Sequence, residues 1–378
     1  MGKNKKLLFI VNVDWFFVSH RLPIAVEAIK RGYEVHIATT ITDKNTILEK
    51  NGLIVHNLSM HRSRANISTL FEFWNIMSVI RFVTPDVVNL VTIKPVLLGG
   101  IAAKLLKVPA VVSSISGLGY VFHSDGLISF IRRKLVLLFY YFALAHKNQK
   151  IIVQNAEDRL TLCKIRNDIY DKSILIPGSG IDLSLYSTTK NTLNPVTVLM
   201  ASRLLSSKGV REFVQASRII RRGNQSVRFV LAGGIDSSNP ESITQSELNR
   251  WKSEGVVEIL GYRNDMYNVI SQASIVVLPS YYGEGLPKVL IEAAACGRVV
   301  ITTDHPGCRD AVTTKTGILI PIKDSQALAD AIQYLLLNPQ KMLKMGQAGR
   351  LLAEQRYSIK KVCKTHIEIY QDLLMRAK

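Results

Sequence analysis

Two carboxylates, Glu284 and Glu292, stand with seven residues between them in the stretch Ser280-Tyr-Tyr-Gly-Glu-Gly-Leu-Pro-Lys-Val-Leu-Ile-Glu-Ala-Ala-Ala-Cys-Gly297. An apolar run, Ile275–Leu278, precedes it and stops at Pro279. Pro287 has the fixed φ that suits the first residue of a helix. The backbone N–H groups between Gly285 and Lys288 would then be free, an anion site at a helix N-terminus. Glu284 sits at the mouth of that loop. Glu292 falls about five residues into the helix, roughly 7.5 Å along its axis. Its neighbours Leu290, Ile291, Ala293, Ala294 and Ala295 make the helix apolar nearly all round. A carboxylate buried there is costly unless polar donors meet it, and a vicinal diol such as a ribose would supply two. The other reading is a solvent-facing glutamate on a packed helix.

A second group is Ala201-Ser-Arg-Leu-Leu-Ser-Ser-Lys-Gly209. It also follows an apolar run and opens a helical pattern. Arg203 and Lys208 lie five residues apart around small residues, which suits a diphosphate: the guanidinium binds bidentately and the ammonium acts as a point charge. Basic residues in loops are common, so this group gains meaning only beside the first.

The elements that must position these residues are legible as two successive series. Apolar, β-branched runs recur at Leu7–Val13, Glu34–Thr39, Leu53–Leu58, Asp86–Val91, Ala110–Ser114, Ile151–Val153 and Ile174–Ile176. They resume at Thr197–Ala201, Arg228–Ala232, Val257–Leu260, Ile275–Leu278, Val299–Thr302 and Gly317–Ile320. Continuous apolar runs of this length predict strands covered on both faces, hence parallel sheets with crossover helices. Helical spacing fills the gaps, as in Val210, Phe213, Val214 and Ile219-Ile220. Two doubly wound α/β domains follow, with ligands expected at the strand C-termini. A Gly/Pro/Ser/Thr-rich stretch from Pro177 to Pro195 marks the boundary. It predicts domains over 1–188 and 189–356, with a C-terminal helix over 357–378 returning to the first.

The chain has 378 residues, with 48 Lys and Arg against 29 Asp and Glu, a formal charge of +19. The excess is +10 up to Thr188 and +9 beyond it, so neither half is a basic tail on a neutral body. Phosphorylated small molecules, anionic lipid and nucleic acid are the partner classes this favours. Cys163, Cys296, Cys308 and Cys363 form no C-x-x-C pair, which argues against a zinc module or a disulfide scaffold and fits a reducing cytoplasm. Lys3–Val11 imitates a secretory signal, but Asp14 follows at once with no small-residue cleavage site; a buried first strand explains it better. Leu135–Ala145 is a run of eleven apolar residues behind Arg132-Arg133-Lys134. A span needs about 20, so two readings stand: a buried helix, or a basic-apolar helix on an anionic membrane face.

The ordered set of Arg203, Lys208 and Glu284-x7-Glu292 resembles the donor site of family 4 retaining glycosyltransferases of the GT-B fold. The resemblance runs over nearly the whole chain. His20-Arg-Leu-Pro-Ile-Ala25, Thr92-Ile-Lys-Pro95, Ser116-Gly-Leu-Gly-Tyr120 and Asp304-His-Pro-Gly-Cys-Arg-Asp310 are similar to the subgroup that builds bacterial surface glycans on polyprenyl diphosphate carriers, N-acetylgalactosaminyltransferases among them. It implies two Rossmann-like domains facing across a deep crevice, an acceptor-side first domain and a donor-side second. It also implies that Arg203 and Lys208 neutralise the donor diphosphate, that Glu292 accepts from ribose hydroxyls, and that Glu284 accepts from the transferred sugar. Backbone at Gly285, Leu286 and Pro287 would hold sugar and phosphate. Tyr262 and Arg263 would flank the base, and Gly233 and Gly234 would let backbone approach the donor. The chain contains no D-x-D motif, in agreement with a metal-independent transferase that uses a UDP-sugar as substrate and needs no cofactor.

Two departures stand out. Many relatives carry a glycine-rich first loop, where this chain has Asn12-Val-Asp-Trp-Phe-Phe17. Many also place a histidine where Ser116 stands here, so no catalytic histidine is carried over. His20, Lys94, Ser116, Gly117 and Gly119 are left as acceptor-side candidates, with a structural role open for His20, and for His123 as well. The expected partners are a nucleotide sugar, a lipid-linked glycan and the anionic inner face of the cell membrane, where the protein would work as a cytoplasmic, peripheral enzyme. A non-transferring UDP-sugar enzyme such as a 2-epimerase is the alternative within the fold. A nucleic-acid-binding protein is the alternative outside it, suggested by charge alone and lacking any recognition motif.

Overall fold

Alternation along Lys6–Val13 sends Leu8 and Ile10 into one apolar cluster and Leu7, Phe9 and Val11 into another, so this strand is covered on both faces. It lies inside a sheet, with a strand on each side, as its unbroken apolar run requires. The computed structural model describes residues 4–60, 68–118, 127–189, 195–223, 226–237 and 239–377, without the side chains of 127–132.

The first series contains β1 (Lys6–Val13), α1 (Asp14–His20), α2 (Leu22–Lys30), β2 (Glu34–Thr40), α3 (Asn45–Lys50), β3 (Ile54–Asn57) and α4 (Ser68–Val83). It continues through β4 (Val87–Val91), α5 (Ile93–Leu105), β5 (Ala110–Ile115), α6 (Leu127–Ala143), β6 (Gln149–Val153), α7 (Ala156–Cys163), α8 (Ile169–Lys172) and β7 (Ser173–Leu175). The strands form one parallel sheet in the order β3-β2-β1-β4-β5-β6-β7. Helices α4, α5 and α6 cover one face, with Ile76, Val96 and Tyr140 packed on Leu8, Val88 and Val111.

The second series holds β8 (Thr197–Ala201), α9 (Val210–Gly223), β9 (Arg228–Ala232), α10 (Gln245–Glu254), β10 (Glu258–Gly261), α11 (Met266–Ser271) and β11 (Ile275–Leu278). Then come α12 (Lys288–Ala295), β12 (Val299–Thr303), β13 (Gly317–Ile320), α13 (Ser325–Leu337) and α14 (Pro339–Arg356). Its parallel sheet runs β10-β9-β8-β11-β12-β13. In each sheet the order reverses beside the first strand, between β1 and β4 and between β8 and β11. Such switch points are where open parallel sheets receive ligands.

The chain divides into two compact units, 1–180 with 359–378, and 181–358. The division falls at Gly180–Ile181 rather than after 188, because Ile181 and Tyr186 are buried in the second core. The last helix, α15 (Ile359–Arg376), belongs to the first unit, where Val362, Ile367, Tyr370 and Leu373 pack with Ile24, Ala28 and Tyr33. Among the described residues no helix is long and apolar enough to cross a membrane.

Candidate functional site

In the second unit, β8 and β11 lie side by side and deliver the two loops that follow them to one edge of the sheet. The loop after β8 carries Arg203, then a single 3-10 turn, Ser206–Lys208. The loop after β11 runs from Pro279 to Pro287. Two hydrogen bonds join the loops: Tyr281 N–H donates to Ser207 O at 2.9 Å, and the Ser280 side-chain Oγ donates to the same oxygen at 3.3 Å.

This brings Lys208 and Glu284 into direct contact. Lys208 Nζ lies on Glu284 Oε1, an oxygen that also accepts from Ser280 Oγ at 2.9 Å. The Lys208 ammonium stands 5.0 Å from the centre of the Tyr282 ring. Burial raises the pKa of the Tyr282 hydroxyl, so it stays a neutral donor. Arg203 NH1 donates to Asp236 Oδ2 at 3.0 Å, with the Arg203 side chain 40 % exposed. Expected to act apart, the cation for diphosphate and the carboxylate for sugar form one ion pair.

Gly233 is pinned to the same edge. Its φ is +152°, and a Cβ there would lie 1.8 Å from Ser202 O, so no larger residue fits between the ends of β8 and β9. Gly234 is next to it, with space toward Tyr262, whose ring is exposed. Arg263 is engaged by Asp265 through two bonds of 2.8 and 2.6 Å.

Helix α12 starts one residue later than expected. Pro287 has ψ 123° and is the extended cap, so Lys288 is the first helical residue. The first turn of the helix still opens directly after the loop end at Gly285 and Leu286. A second loop closes on this one: a Cβ on Gly307 would meet Gly285 O at 2.3 Å and Glu284 O at 2.6 Å.

Glu292 is 6 % exposed, which removes the solvent-facing reading. Its Oε1 accepts from the Tyr186 hydroxyl at 2.8 Å and has Lys288 Nζ at 3.7 Å. Burial, then the neighbouring carboxylate, push the Tyr186 pKa far up and keep the phenol a donor.

In the first unit the acceptor-side candidates are tied to protein. His20 Nδ1 donates to Phe16 O at 3.1 Å and the imidazole stacks on the Phe16 ring at 4.2 Å. Lys94 Nζ lies 2.5 Å from Oε2 of Glu72, a buried carboxylate on α4. Ser116 Oγ accepts from Arg21 NH2 at 3.2 Å, and Gly117 follows with φ +98°. Gly119 and His123 lie outside the described residues.

Sequence reasoning missed several partners. Asp236, three residues past Gly233, was legible as an acid beside a glycine pair. Tyr186 and Glu72 carry no local signal. Asp14 holds the first loop in place of glycines: its carboxylate accepts from Trp15 N, Thr42 N, Thr42 Oγ1 and Lys44 N, at 2.6 to 3.1 Å. Arg21 is 1 % exposed, and burial lowers its pKa to about 10.

Residues 6–155 match the family model described as glycosyl transferase 4-like, and residues 195–338 the model described as glycosyl transferases group 1. The chain is 27 % identical over 372 residues to the N,N'-diacetylbacillosaminyl-diphospho-undecaprenol alpha-1,3-N-acetylgalactosaminyltransferase of Campylobacter jejuni, covering 94 % of this chain and 95 % of the relative. It is 26 % identical over 289 residues to an Escherichia coli UDP-Gal:alpha-D-GlcNAc-diphosphoundecaprenol alpha-1,3-galactosyltransferase, with 71 % of each covered. The structure of the Anabaena protein HepE in complex with UDP and glucose superposes with a TM-score of 0.77 at 17 % identity, covering 97 % of this chain and 99 % of that one.

Proposed function

We propose that this chain, which belongs to the glycosyltransferases of the GT-B fold, moves one sugar from a UDP-linked donor, an N-acetylhexosamine, to a sugar already carried on a polyprenyl diphosphate. The observation that carries the reading is the convergence of Arg203, Lys208, Glu284 and the first turn of α12 on one sheet edge. The identity shared over most of its length with the Campylobacter enzyme supports the donor and acceptor classes.

The second unit takes the nucleotide. Glu292, held by Tyr186, faces the ribose with its remaining acceptor capacity, and Tyr262 flanks the base. The diphosphate meets Arg203, Lys208 and the N–H groups that open α12, while Glu284 accepts from hydroxyls of the sugar. The bond from the anomeric carbon to the β-phosphate oxygen breaks, and UDP leaves with the electron pair. The acceptor hydroxyl forms the new bond on the face the phosphate leaves, so configuration is retained, and its proton passes to the departing phosphate oxygen. Two side-chain cations and a helix N-terminus stabilise the growing charge, a role a metal plays in other transferases. The reading includes no cofactor. The acceptor stays in the bilayer, so the enzyme works peripherally at the cytoplasmic face, with α6 against anionic lipid.

The test is a panel of nucleotide sugars offered with a lipid-diphosphate sugar acceptor. The expected product is one sugar longer, formed from a single donor, with an anomeric proton coupling that matches the donor's. Donor epimerisation without transfer, or no product from any pair, would overturn the assignment.

A further inference from the structure

Helices α4 and α6 expose large apolar side chains on the side of the first unit that faces away from its sheet. On α4 the outward stripe holds Leu70, Phe71, Trp74 and Phe82, with Phe71 67 %, Trp74 52 % and Phe82 79 % exposed. Residues 71, 74 and 82 recur near whole helical turns, so they line one face. On α6, Tyr140 and Ala143 are buried, while Leu138, Phe139 and Phe142 are each about half exposed. Of the two readings left open for this segment, the buried helix holds on one side only.

Between these helices α5 is sunk toward the sheet. A Cβ on Gly99 would lie 2.5 Å from Leu90 Cδ2, and one on Gly100 would lie 2.6 Å from Ala143 O. At Gly100 a side chain would run into the α6 backbone, whereas the Leu90 methyl facing Gly99 could shift. The residues of α5 before Lys104 are buried or half-buried, so the exposed side chains of α4 and α6 stand as two ridges on either side. The charges on this layer share one sign. Among the described side chains of the three helices the one acid is Glu72, buried and paired with Lys94. The outward charges are Arg81, Lys104 and Lys134, with Arg133 partly exposed.

We infer that the two ridges together form a membrane-docking face: the aromatic row of α4 and the apolar row of α6 enter the interfacial zone of an anionic bilayer, with the cations against headgroup phosphates. This deepens the proposed function and rests on it for the reason a bilayer is approached. Apolar and aromatic residues rimmed only by cations match such a surface. A second copy of the chain seated there would set cations against cations. The weight placed on α4 separates this inference from a reading in which the α6 cations suffice.

The test is flotation of the full chain with phosphatidylcholine vesicles, with and without phosphatidylglycerol as the anionic lipid, the class of headgroup that surface cations are drawn to. The wild type is expected to float with anionic vesicles. Phe71→Glu/Trp74→Glu on α4 and Leu138→Glu/Phe142→Glu on α6 are each expected to lose at least about tenfold in partitioning, with unchanged UDP binding in solution. Trp74 emission should shift to the blue and be quenched by brominated acyl chains. In Trp74→Phe the quenching should vanish while flotation persists, a check that needs no unfolding-prone variant. Flotation unaffected by the α4 pair, unquenched Trp74, or a dimer in light scattering that the α4 pair abolishes would each overturn the inference. Vesicle binding is read without any acceptor, so a failed transfer assay would strike the proposed function and leave this result standing.

Discussion

Lys208 Nζ and Glu284 Oε1 are in direct contact at the edge of the second sheet, and Ser280 Oγ binds the same carboxylate oxygen. The two side chains are 11 % and 12 % exposed, so neither charge is well solvated. Each is the other's partner, and Glu284 has the Ser280 hydroxyl as well. Under the proposed function a diphosphate would compete with Glu284 for Lys208, and the carboxylate would then be open to the sugar hydroxyls.

Replacing one member alone strands the other. Lys208→Met should lower stability by about 3–5 kcal/mol, the usual cost of leaving one member of a buried pair uncompensated. Lys208→Met/Glu284→Gln should recover most of that loss in a denaturant titration, and transfer activity should stay abolished in both. A double variant no more stable than the single one would mean the contact carries no coupling.

Arg203 should behave differently. Its own side chain is 40 % exposed against 11 % for Lys208, but its partner Asp236 is only 15 % exposed and loses a cation when Arg203 is removed. Arg203→Ala should therefore cost less stability than Lys208→Met, about 1 kcal/mol. Charged hydrogen bonds are worth about 1.5–3 kcal/mol, so kcat/KM for the donor should fall roughly 10–150-fold. Wild-type kinetics for this variant would remove Arg203 from the donor site.

The strands were the most legible part of the fold. The inner strands are buried on both faces, and an unbroken apolar run such as Ile275–Leu278 has no other way to satisfy its side chains; the edge strands Ile54–Asn57 and Glu258–Gly261 are partly exposed. Ends were less legible: Pro287 satisfies φ for a helix, and only its ψ, set by the loop before it, keeps it outside. At the site, Arg203, Lys208, Glu284 and Glu292 were readable because strand, loop and helix N-terminus lie consecutively in the chain. Their partners were not. Tyr186 reaches Glu292 across 106 residues of sequence from a stretch with no periodicity. Glu72 sits in an apolar helix where nothing local announces that Lys94 will meet it. Long-range pairs of this kind follow from sheet order, which spacing does not encode.

Glu284 and Glu292 should separate kinetically. Glu284 is assigned to the sugar, whose geometry changes toward the transition state, and Glu292 to a ribose that does not react. Contacts equal in both states act on KM, and contacts made in the transition state act on kcat. Glu284→Gln should therefore lower kcat, and Glu292→Gln should raise the donor KM. Tyr186→Phe removes the 2.8 Å bond that orients Glu292 and should raise the donor KM in the same direction by a smaller factor. Steady-state kinetics with the partition reversed would exchange the two roles.

The last prediction concerns acid stability and the first unit. His366 on α15 is fully buried beside Arg21. Its Nδ1 donates to Val362 O at 2.9 Å, and Nε2 has no hydrogen-bond partner. Burial, then the Arg21 charge, lower its pKa to about 3, against about 6.5 in an unfolded chain. Between those values the unfolded state binds the proton and the folded state does not, so stability rises with pH and is lost on acidification. The loss begins as pH drops through about 6.5 and approaches about 1.4 kcal/mol per unit. His56 and His146 are also shifted down by burial, so the wild-type slope is a sum. His366→Leu isolates one contribution. Urea titrations from pH 4.5 to 7.5 (roughly the window in which unfolded histidine takes up its proton) should show the variant losing stability less steeply than the wild type, by up to one proton's worth. Parallel curves would mean that His366 takes up its proton in the fold as readily as in the unfolded chain, and would overturn this prediction.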